Sequence, residues 1–231
     1  MISVLIPCYN EKNTISEIVD RILKVKEIDI EIIIIDDNSK DGTKDIIENN
    51  LASKVSKVIY NQVNEGKGYC IKKGIKEATG DIILIQDADL EYDPKEYKKL
   101  IKPILDGHAD VVYGSRFIGG DERRILFFWH TIANKLLTLL SNMFTNLNLT
   151  DMETCYKVFK KDIIKNIDLK EKRFGFDPEI TAKMAKMKPK IFEVGISYFG
   201  RTYDQGKKIK LKDAFIVLKS IIKYNLFWFF F

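Results

Sequence analysis

The hydrophobic pattern of the first half of the chain alternates short apolar runs with amphipathic stretches. Short runs rich in β-branched residues predict strands, and apolar positions that recur at helical spacing predict helices. The predicted strands are Ile2–Ile6, Ile30–Asp36, Lys57–Tyr60, Ile82–Gln86 and Asp110–Tyr113. The predicted helices are Asn13–Val25, Thr43–Leu51, Lys67–Ala78 and Pro94–Leu105. This alternation predicts βαβ crossovers and an open α/β sheet, in which the wholly apolar Ile32–Ile35 is a parallel strand buried on both faces.

The second half of the chain shows a different pattern, with longer amphipathic stretches. Apolar residues recur at helical spacing over Ile125–Phe144, which predicts a long helix. A further helix is predicted from Pro178 onward, and a short strand at Ile191–Val194 follows it. The last predicted helix, Lys212–Phe231, is apolar on nearly all sides but carries lysines along one of them.

No internal repeat, low-complexity linker or clear boundary divides the chain. We therefore predict a single α/β domain over residues 1–205. Residues 206–231 are predicted to add a basic loop and a C-terminal amphipathic helix.

Composition excludes some functional classes. With 45% hydrophobic and 31% charged residues, the 231-residue chain has the composition of a folded protein rather than a disordered one. The formal net charge is only +5 and the lysines are interspersed with acidic residues, so we expect no nucleic-acid partner. Cys8, Cys70 and Cys155 are far apart without metal-ligand spacing, which indicates reduced thiols in a cytoplasmic protein.

Polar clusters follow four of the predicted strands. They are Pro7–Glu11, Asp36–Ser39, Asn64–Gly68 and Asp87–Asp89. In open α/β sheets, ligands bind beyond the carboxyl ends of the strands. We therefore expect the four clusters to converge on one crevice and to form a binding site there.

Asp87 and Asp89 directly follow an apolar strand and are the candidate metal ligands. Two carboxylates at the tip of a strand form a hard oxygen site for Mg²⁺ or Mn²⁺, and Glu91 is a candidate third ligand. Such an ion keeps open positions, which the oxygens of a diphosphate can fill. The alternative is that these acidic residues only begin the next helix. That interpretation fits Asp93, which precedes Pro94.

The second acidic strand end contains residues of two kinds. Asp41-Gly42-Thr43 is typical of a turn and a helix cap, whereas Asp37 is placed to accept a hydrogen bond from the N–H of a nucleotide base. In Gly66-Lys67-Gly68, the glycines allow the backbone to approach a ligand closely and Lys67 offers a cation to a phosphate or a base.

Taken in order, these motifs resemble the family 2 glycosyltransferases with the GT-A fold. The matching segments are Ile6–Glu11, Asp36–Thr43, Asn64–Gly68, Asp87–Asp89 and Gly114–Phe117. Within that family, the chain is most similar to dolichol-phosphate mannose synthases and bacterial polyprenyl-phosphate sugar synthases. The resemblance implies a Rossmann-like, mostly parallel open sheet flanked by helices. It also implies a nucleotide-binding half at residues 1–117 and an acceptor half at residues 118–205.

The resemblance implies a role for each matching residue. The nucleotide-sugar donor would contact Pro7, Tyr9, Asn10, Glu11, Asp37, Lys67, Asp87 and Ala88. Asp89 would hold the metal, with Glu91 at a position where the synthases commonly carry Gln, and Asp87 would face the ribose or the sugar. Arg116 would bind a phosphate of the donor or the acceptor. The catalytic set would be Asp87, Asp89, Arg116 and Arg201.

Later segments concern the acceptor. Thr150–Lys157 resembles the family segment Asp-x-Thr-Ser-Gly-Phe, but Glu153 replaces the Thr and the small pair is lost. Phe174–Glu179 matches the segment that begins the helix beside the sugar. A phosphate acceptor is already ionised, so it needs cations rather than a base. The candidates are Arg116, Arg124, Arg201, Lys207 and Lys208, the alternatives being a solvated basic loop at residues 200–208 and a surface charge at Arg124.

The C-terminal helix indicates a membrane-bound acceptor. Aromatic residues with a stripe of lysines suit a helix in the interface of an anionic leaflet, although a core helix with an apolar tail is the alternative. Ile125–Phe144 is a second such helix or packs on the sheet. No apolar run reaches the ~18 residues of a transmembrane helix, and we expect no transmembrane domain after Phe231. We expect peripheral attachment to the membrane surface, or completion by an integral membrane partner.

We therefore predict an inverting glycosyltransferase at the cytoplasmic face of the membrane. It would transfer a hexose from a GDP- or UDP-linked donor to a polyprenyl or dolichyl phosphate. The first alternative is a transferase with a hydroxyl acceptor of a cell-surface glycan and Asp177 or Glu179 as general base. The others are a nucleotidyltransferase and a non-catalytic module that binds a nucleotide-sugar or a lipid.

Overall fold

The computed structural model describes residues 1–119, 121–125, 127–208 and 211–226. Its strands are β1 (Ile2–Cys8), β2 (Ile30–Asp36), β3 (Lys57–Tyr60), β4 (Ile82–Ile85), β5 (Val111–Ser115), β6 (Lys157–Lys160) and β7 (Ile191–Gly195). Its helices are α1 (Ile15–Leu23), α2 (Thr43–Ile46), α3 (Lys67–Glu77), α4 (Tyr97–Leu105), α5 (Phe128–Thr145), α6 (Lys161–Lys165), α7 (Phe176–Met187) and α8 (Leu211–Asn225). The seven strands form one sheet in the order β3-β2-β1-β4-β6-β5-β7.

The first four strands form the parallel half of the sheet. β1 lies between β2 and β4, and β3 extends the sheet beyond β2, with all three pairings parallel. Ile32–Ile35 is buried, as its uninterrupted apolar run predicts. Cys8 pairs with Asp36, so β1 and β2 end at the same level and their following loops meet. The predicted open, mostly parallel α/β sheet is confirmed.

β6 was not among the predicted strands. It runs antiparallel between β4 and β5, with Ile83 opposite Phe159 and Val112 opposite Val158. β6 has only four residues, of which the first and the last are lysines, so it is too short to show the alternation of apolar and polar residues that predicts a strand. Because β6 is antiparallel, the segment at residues 150–156 crosses the edge of the sheet where β4 and β5 end.

Several helix boundaries differ from the prediction. The predicted helix Thr43–Leu51 is α-helical only as far as Ile46 and ends in a π-helical turn at Ile47–Leu51. Asp93 caps the 3₁₀ turn before α4, where its side chain accepts a hydrogen bond from the Lys95 backbone N–H at 3.0 Å. This confirms that Asp93 belongs to the helix start.

The C-terminal helices form a second apolar layer. A small cluster of Met152, Val217 and Ile221 is buried between α5, α8 and the segment before β6. The predicted helix Lys212–Phe231 is helical over Leu211–Asn225, and its last residues, 227–231, lie outside the described part of the chain. Among the described residues, no helix has the length and apolar character to cross a membrane.

A buried ion pair attaches α7 to the sheet. Lys157, on β6, is fully buried and donates hydrogen bonds to the Asp177 carboxylate in the first turn of α7 and to the Thr154 carbonyl. Its ammonium also lies 5.3 Å from the centre of the Tyr113 ring. A charge in such a position is tolerated only while its partner is present, because removing one member leaves the other desolvated and unpaired.

We expect Lys157→Met to lower the free energy of unfolding by about 3–5 kcal/mol, since Asp177 would be left as an unpaired buried charge. The double variant Lys157→Met/Asp177→Leu should recover most of the loss. Urea denaturation followed by circular dichroism measures both. As a control, Lys98→Met breaks the exposed pair with Glu27 and should leave the free energy of unfolding nearly unchanged. Equal losses of stability in Lys157→Met and Lys98→Met would contradict the conclusion that the buried Lys157–Asp177 pair attaches α7 to the sheet.

Candidate functional site

The four polar clusters of the strand ends meet in one crevice, as predicted. The Asn10 backbone N–H donates to Ser39 Oγ at 2.9 Å, which joins the loops after β1 and β2. The Gly66 backbone N–H donates to the Asp37 carboxylate at 2.7 Å, which joins the loops after β2 and β3. Lys67 then lies 2.6 Å from Asp87, at the end of β4.

Asp37 holds the loop after β3 in place. Its buried carboxylate accepts hydrogen bonds from the side chains of Asn61 and Asn64 and from the backbone N–H groups of Glu65 and Gly66, at 2.7–2.9 Å. Four donors from the protein already use this carboxylate. Its predicted contact with the N–H of a base therefore requires one of them to give way.

Asp87 and Lys67 form an ion pair at the floor of the crevice. Burial favours the neutral acid, but the Lys67 ammonium outweighs it and holds the pKa of Asp87 below its ordinary value. In the same way, burial lowers the pKa of Lys67 but Asp87 raises it further, so both groups stay charged. The Cys155 thiol also contacts Asp87, and the burial of that thiol raises its pKa. Lys67 is thus already neutralised within the protein.

Three carboxylates surround Arg201 at the mouth of the crevice. Its guanidinium lies 2.7 Å from Asp89, 3.2 Å from Glu11 and 3.5 Å from Glu91. The Arg201 backbone N–H also donates to Glu91 at 2.8 Å, and the Tyr198 hydroxyl donates to the other Glu91 oxygen at 2.8 Å. The acidic residues predicted to bind a nucleotide-sugar and a metal therefore converge, with an arginine between them.

The pKa of Asp89 is raised even though Arg201 lies beside it. Burial, followed by the charges of Glu91 and Asp87, raises the pKa of Asp89 to about 7, although Arg201 opposes the shift. A carboxylate in this position gains from any further positive charge.

The predicted metal ligands have the hard oxygen chemistry that Mg²⁺ and Mn²⁺ prefer. Among the described residues, however, no three His, Cys, Asp or Glu side chains are arranged to hold one ion together. Arg201 lies between Asp89 and Glu91, and its positive charge stabilises the two carboxylates as a metal ion would. The donor set fits a divalent ion on condition that Arg201 withdraws.

The segment at residues 198–208, called the strap below, covers this end of the crevice. Lys208 donates to the Tyr9 and Asn10 carbonyls and lies 2.6 Å from Glu11, so it covers residues predicted to bind the nucleoside. Arg124 donates to the Gly200 carbonyl at 3.1 Å and to Gln205 at 2.7 Å. Arg124 therefore holds the strap rather than pointing a free cation into the crevice.

The remaining predicted phosphate ligands lie close to the strap. Arg116 makes a bidentate pair with Asp151 at 2.6 and 2.7 Å, which leaves Nη1 outside that pair. Asp151 is fully buried and also accepts from Asn134 at 3.1 Å. Lys207 forms no salt bridge within the described residues, and its ammonium lies 5.7 Å from the centre of the Phe127 ring. Of the five predicted phosphate cations, Lys207 and Arg124 are thus the two without a carboxylate partner there.

Neither candidate general base is available for that role. Asp177 is paired with Lys157, and Glu179 is fully buried, where it accepts from the Lys170 and Glu171 backbone N–H groups at 2.8 and 2.7 Å and pairs with Lys183 at 2.5 Å. These contacts weigh against the alternative with a hydroxyl acceptor. Both residues serve the structure around α7.

Sequence reasoning missed the buried partners of the site. Neither Lys157 nor Tyr198 has a motif of its own. The only sign of Lys157 in the sequence is that this lysine lies between apolar neighbours. Tyr198 contacts both Glu91 and Arg116, whose guanidinium carbon lies 5.3 Å from its ring centre. The ring thus joins the metal-candidate carboxylates to the phosphate-candidate arginine.

Comparison with known proteins identifies the family and the fold of the chain. Residues 3–168 match the profile of Glycosyl transferase family 2. The dolichol-phosphate mannosyltransferase of Pyrococcus furiosus is 28% identical over 90% of this chain, which spans 60% of that protein's length. The undecaprenyl-phosphate mannosyltransferase of Micrococcus luteus is 27% identical over 88% of this chain and 85% of its own.

Among solved structures, glucosyl-3-phosphoglycerate synthase from Mycobacterium tuberculosis, in complex with Mn²⁺, uridine diphosphate and glucosyl-3-phosphoglycerate, has a TM-score of 0.76. It is 19% identical, and the match covers 97% of this chain and 80% of that one, so the likeness concerns the fold. The same enzyme has also been solved with Mg²⁺ and uridine diphosphate. The match to the family profile over residues 3–168 and the shared fold lead to one conclusion: the chain belongs to glycosyl transferase family 2, and it is a glycosyltransferase with the GT-A fold.

Proposed function

We propose that this glycosyltransferase transfers a hexose, with inversion, from a GDP- or UDP-linked donor to a polyprenyl or dolichyl phosphate. The observation that carries the proposal is the convergence of Arg116, Arg201, Lys207 and Lys208 around one crevice while both candidate bases are committed elsewhere. Arginine and lysine side chains that can exchange a carboxylate for a phosphate suit an anionic nucleophile, which attacks without a proton acceptor. The mannosyltransferases of Pyrococcus and Micrococcus, named for lipid phosphates, support this acceptor class.

The donor would enter where Lys208 and Arg201 now lie. Lys208 covers Tyr9, Asn10 and Glu11, and Arg201 covers Asp89. A nucleoside diphosphate brings its own negative charge, so both cations can exchange a carboxylate partner for a phosphate oxygen at little electrostatic cost. Pro7 and the buried Ala88 provide the apolar surface beside it.

Mg²⁺ or Mn²⁺ is proposed as the cofactor, held by Asp89 with Glu91 and Asp87 as further ligands. The bound ion would neutralise charge on the departing nucleoside diphosphate. Lys67 keeps Asp87 ionised, which suits either a ligand or a hydrogen-bond acceptor for the sugar. Arg201 leaves the carboxylates and becomes available to a phosphate.

The acceptor side is assigned to Arg116 and the cations of the strap. Asp151 fixes the Arg116 guanidinium through two hydrogen bonds, so its orientation is set before any phosphate arrives. Burial lowers the pKa of Lys207, and the nearby Arg116 and Arg201 also lower it by repulsion, against the opposing charges of Glu91 and Asp89. A dianionic phosphate relieves that repulsion.

The membrane is the proposed location of the acceptor, at the cytoplasmic face. One face of α5 packs on the domain through Thr138, Ser141 and Thr145, and its opposite face is apolar and exposed. The exposed residues are Phe128, Trp129, Ile132, Leu136, Leu139 and Met143. A continuous apolar face at helical spacing is typical of a helix that lies in a membrane interface. Peripheral attachment through α5 is therefore proposed, with or without an integral partner.

The proposed reaction is tested by incubating the protein with membranes, Mn²⁺ and a panel of labelled GDP- and UDP-sugars. We expect label from one donor to enter the lipid phase, with Asp89→Ala lowering kcat/KM by about 10²-fold or more. Asp162→Ala, an exposed carboxylate on α6, should keep full activity.

Other products would replace the proposal with one of its alternatives. Pyrophosphate release indicates a nucleotidyltransferase, and label on a hydroxyl acceptor indicates the other kind of sugar transfer. A donor that stays intact with every acceptor indicates a binding module. Full activity of Asp89→Ala would exclude the metal assignment.

Arg201→Gln should bind Mn²⁺ more tightly than the wild type in the absence of nucleotide, because Asp89, Glu91 and Glu11 would lose the cation that now lies between them. We expect an affinity gain of about tenfold, measured by isothermal titration calorimetry or by the Mn²⁺ electron paramagnetic resonance signal. Arg21→Gln removes an exposed arginine paired with Glu17 and should leave Mn²⁺ affinity unchanged. Weaker Mn²⁺ binding by Arg201→Gln would refute the competition.

The double variant Trp129→Ser/Leu139→Ser should lose at least about tenfold in affinity for vesicles of phosphatidylcholine and phosphatidylglycerol, because two apolar side chains would no longer enter the interface. Co-sedimentation with the vesicles measures the loss. Leu105→Ser on α4 removes a leucine that is 67% exposed and should bind vesicles like the wild type. Equal effects of the two changes would show that α5 does not form the docking face.

A further inference from the structure

The inner part of the crevice holds three cations, and each of them has its own carboxylate. The pairs are Lys67–Asp87 and Arg116–Asp151, both at 2.6 Å, and the buried Lys157–Asp177. Within each pair the positive and the negative charge cancel. A further ionised group among them would have no counterion from within the cluster.

Glu153 is such a further group. It lies in the segment before β6, and its charged neighbours are Asp177, Lys157, Arg116 and Asp151, which are the members of two of the three pairs. The residue is half-buried, yet its Oε1 is enclosed and has no hydrogen-bond partner among the described residues. An enclosed polar oxygen without a partner is uncommon in a folded protein and needs an explanation.

The state of Glu153 follows from these surroundings. Burial, and then the charge of Asp177, raise the pKa of Glu153 to about 8, against the opposing effects of Lys157 and Arg116. At pH 7 the group is therefore mostly a neutral carboxylic acid. A neutral carboxyl carries one O–H donor as well as acceptor lone pairs, so it can exchange hydrogen bonds with a hydroxyl in both directions.

The backbone places Glu153 close to the reacting part of the crevice. Cys155, two residues further on, contacts Asp87, which lies two positions after the end of β4. Asp151, two residues before, holds Arg116 directly after β5. Glu153 therefore lies on the segment that joins the Asp87 side of the crevice to the Arg116 side.

We propose that Glu153 is a specificity-determining residue whose carboxyl group contacts the hydroxyl groups of the transferred sugar, and that it selects a neutral hexosyl donor over a uronosyl donor. The inference rests on the proposed function, in which the transferred hexosyl group lies between Asp87 and Arg116. Ring hydroxyls are the ligand chemistry that completes an unpaired carboxyl without adding charge.

Discrimination against a uronosyl group follows from the charge balance. A sugar carboxylate would enter a place where Lys67 and Lys157 are already paired with carboxylates of the protein. Arg116, paired with Asp151, is assigned to the acceptor phosphate and is not available to a second anion. An added buried anion without a counterion is strongly unfavourable, whereas a neutral hydroxyl is accommodated by hydrogen bonds alone.

Isothermal titration calorimetry in the presence of Mn²⁺ tests the proposal on the full chain. The probes are UDP, UDP-glucose and UDP-glucuronate, together with GDP, GDP-mannose and GDP-mannuronate. In the series with the preferred base, the wild type should bind the neutral sugar nucleotide at least about tenfold more tightly than the uronate analogue. Glu153→Ala should weaken the neutral sugar nucleotide about tenfold and leave the free nucleoside diphosphate unchanged.

Two further variants separate a sugar contact from other roles. Glu153→Gln keeps a donor and an acceptor and should retain most of the affinity for the neutral sugar nucleotide, with turnover preserved. Glu27→Ala removes an exposed glutamate and should change nothing. A turnover lost in Glu153→Gln while donor binding stays intact would overturn the inference in favour of proton transfer.

The remaining outcomes are equally distinct. Equal weakening of nucleoside diphosphate and sugar nucleotide by Glu153→Ala would show a structural role and overturn the inference. Equal affinity of the wild type for the neutral and the uronate donor would do the same. If no sugar nucleotide binds and none is turned over by the wild type, the proposed function itself fails.

Discussion

The excess of negative charge at the strand ends is the constraint on which the rest of the site depends. Parallel strands place their carboxyl ends on one edge of a sheet, and here all four of the loops that follow β1 to β4 carry acidic residues. Asp87, Asp89 and Glu11 could not share that edge while ionised unless cations came from elsewhere in the chain. Lys67 comes from the start of α3, and Arg201 and Lys208 come from the strap.

This charge balance explains why the family motifs could be recognised in the sequence, whereas the ion pairs that neutralise their carboxylates could not. Asp87-Ala88-Asp89 and Gly66-Lys67-Gly68 are local patterns, set by a strand tip and a helix start, and the structure brings them together as the sequence predicts. The neutralising contacts are long-range: Arg201 is more than a hundred residues from Asp89 in the chain. No periodicity or spacing connects two such positions, so their pairing emerges only from the fold.

The same distinction holds for the sheet. β2 is predictable because four consecutive isoleucines are compatible with a strand buried on both faces. β6 is not, because its identity as a strand depends on the gap between β4 and β5 that it fills. Once inserted antiparallel, it carries the chain back across the ligand edge, and Asp151, Glu153 and Cys155 reach the crevice for that reason. One unpredicted strand thus accounts for the position of these three side chains at the site.

The strap also links the crevice to the exposed face of α5. Arg124 holds it through Gly200 and Gln205, the Tyr203 hydroxyl lies 3.0 Å from His130 in the first turn of α5, and Lys207 lies over the Phe127 ring at the start of that helix. The cations proposed for the acceptor phosphate are therefore built onto the end of the helix proposed to meet the lipid. A prenyl chain at that surface would present its phosphate beside the strap. Withdrawal of Arg201 from Asp89 would then serve both substrates, because it opens the carboxylates to a metal ion and frees a guanidinium for a phosphate.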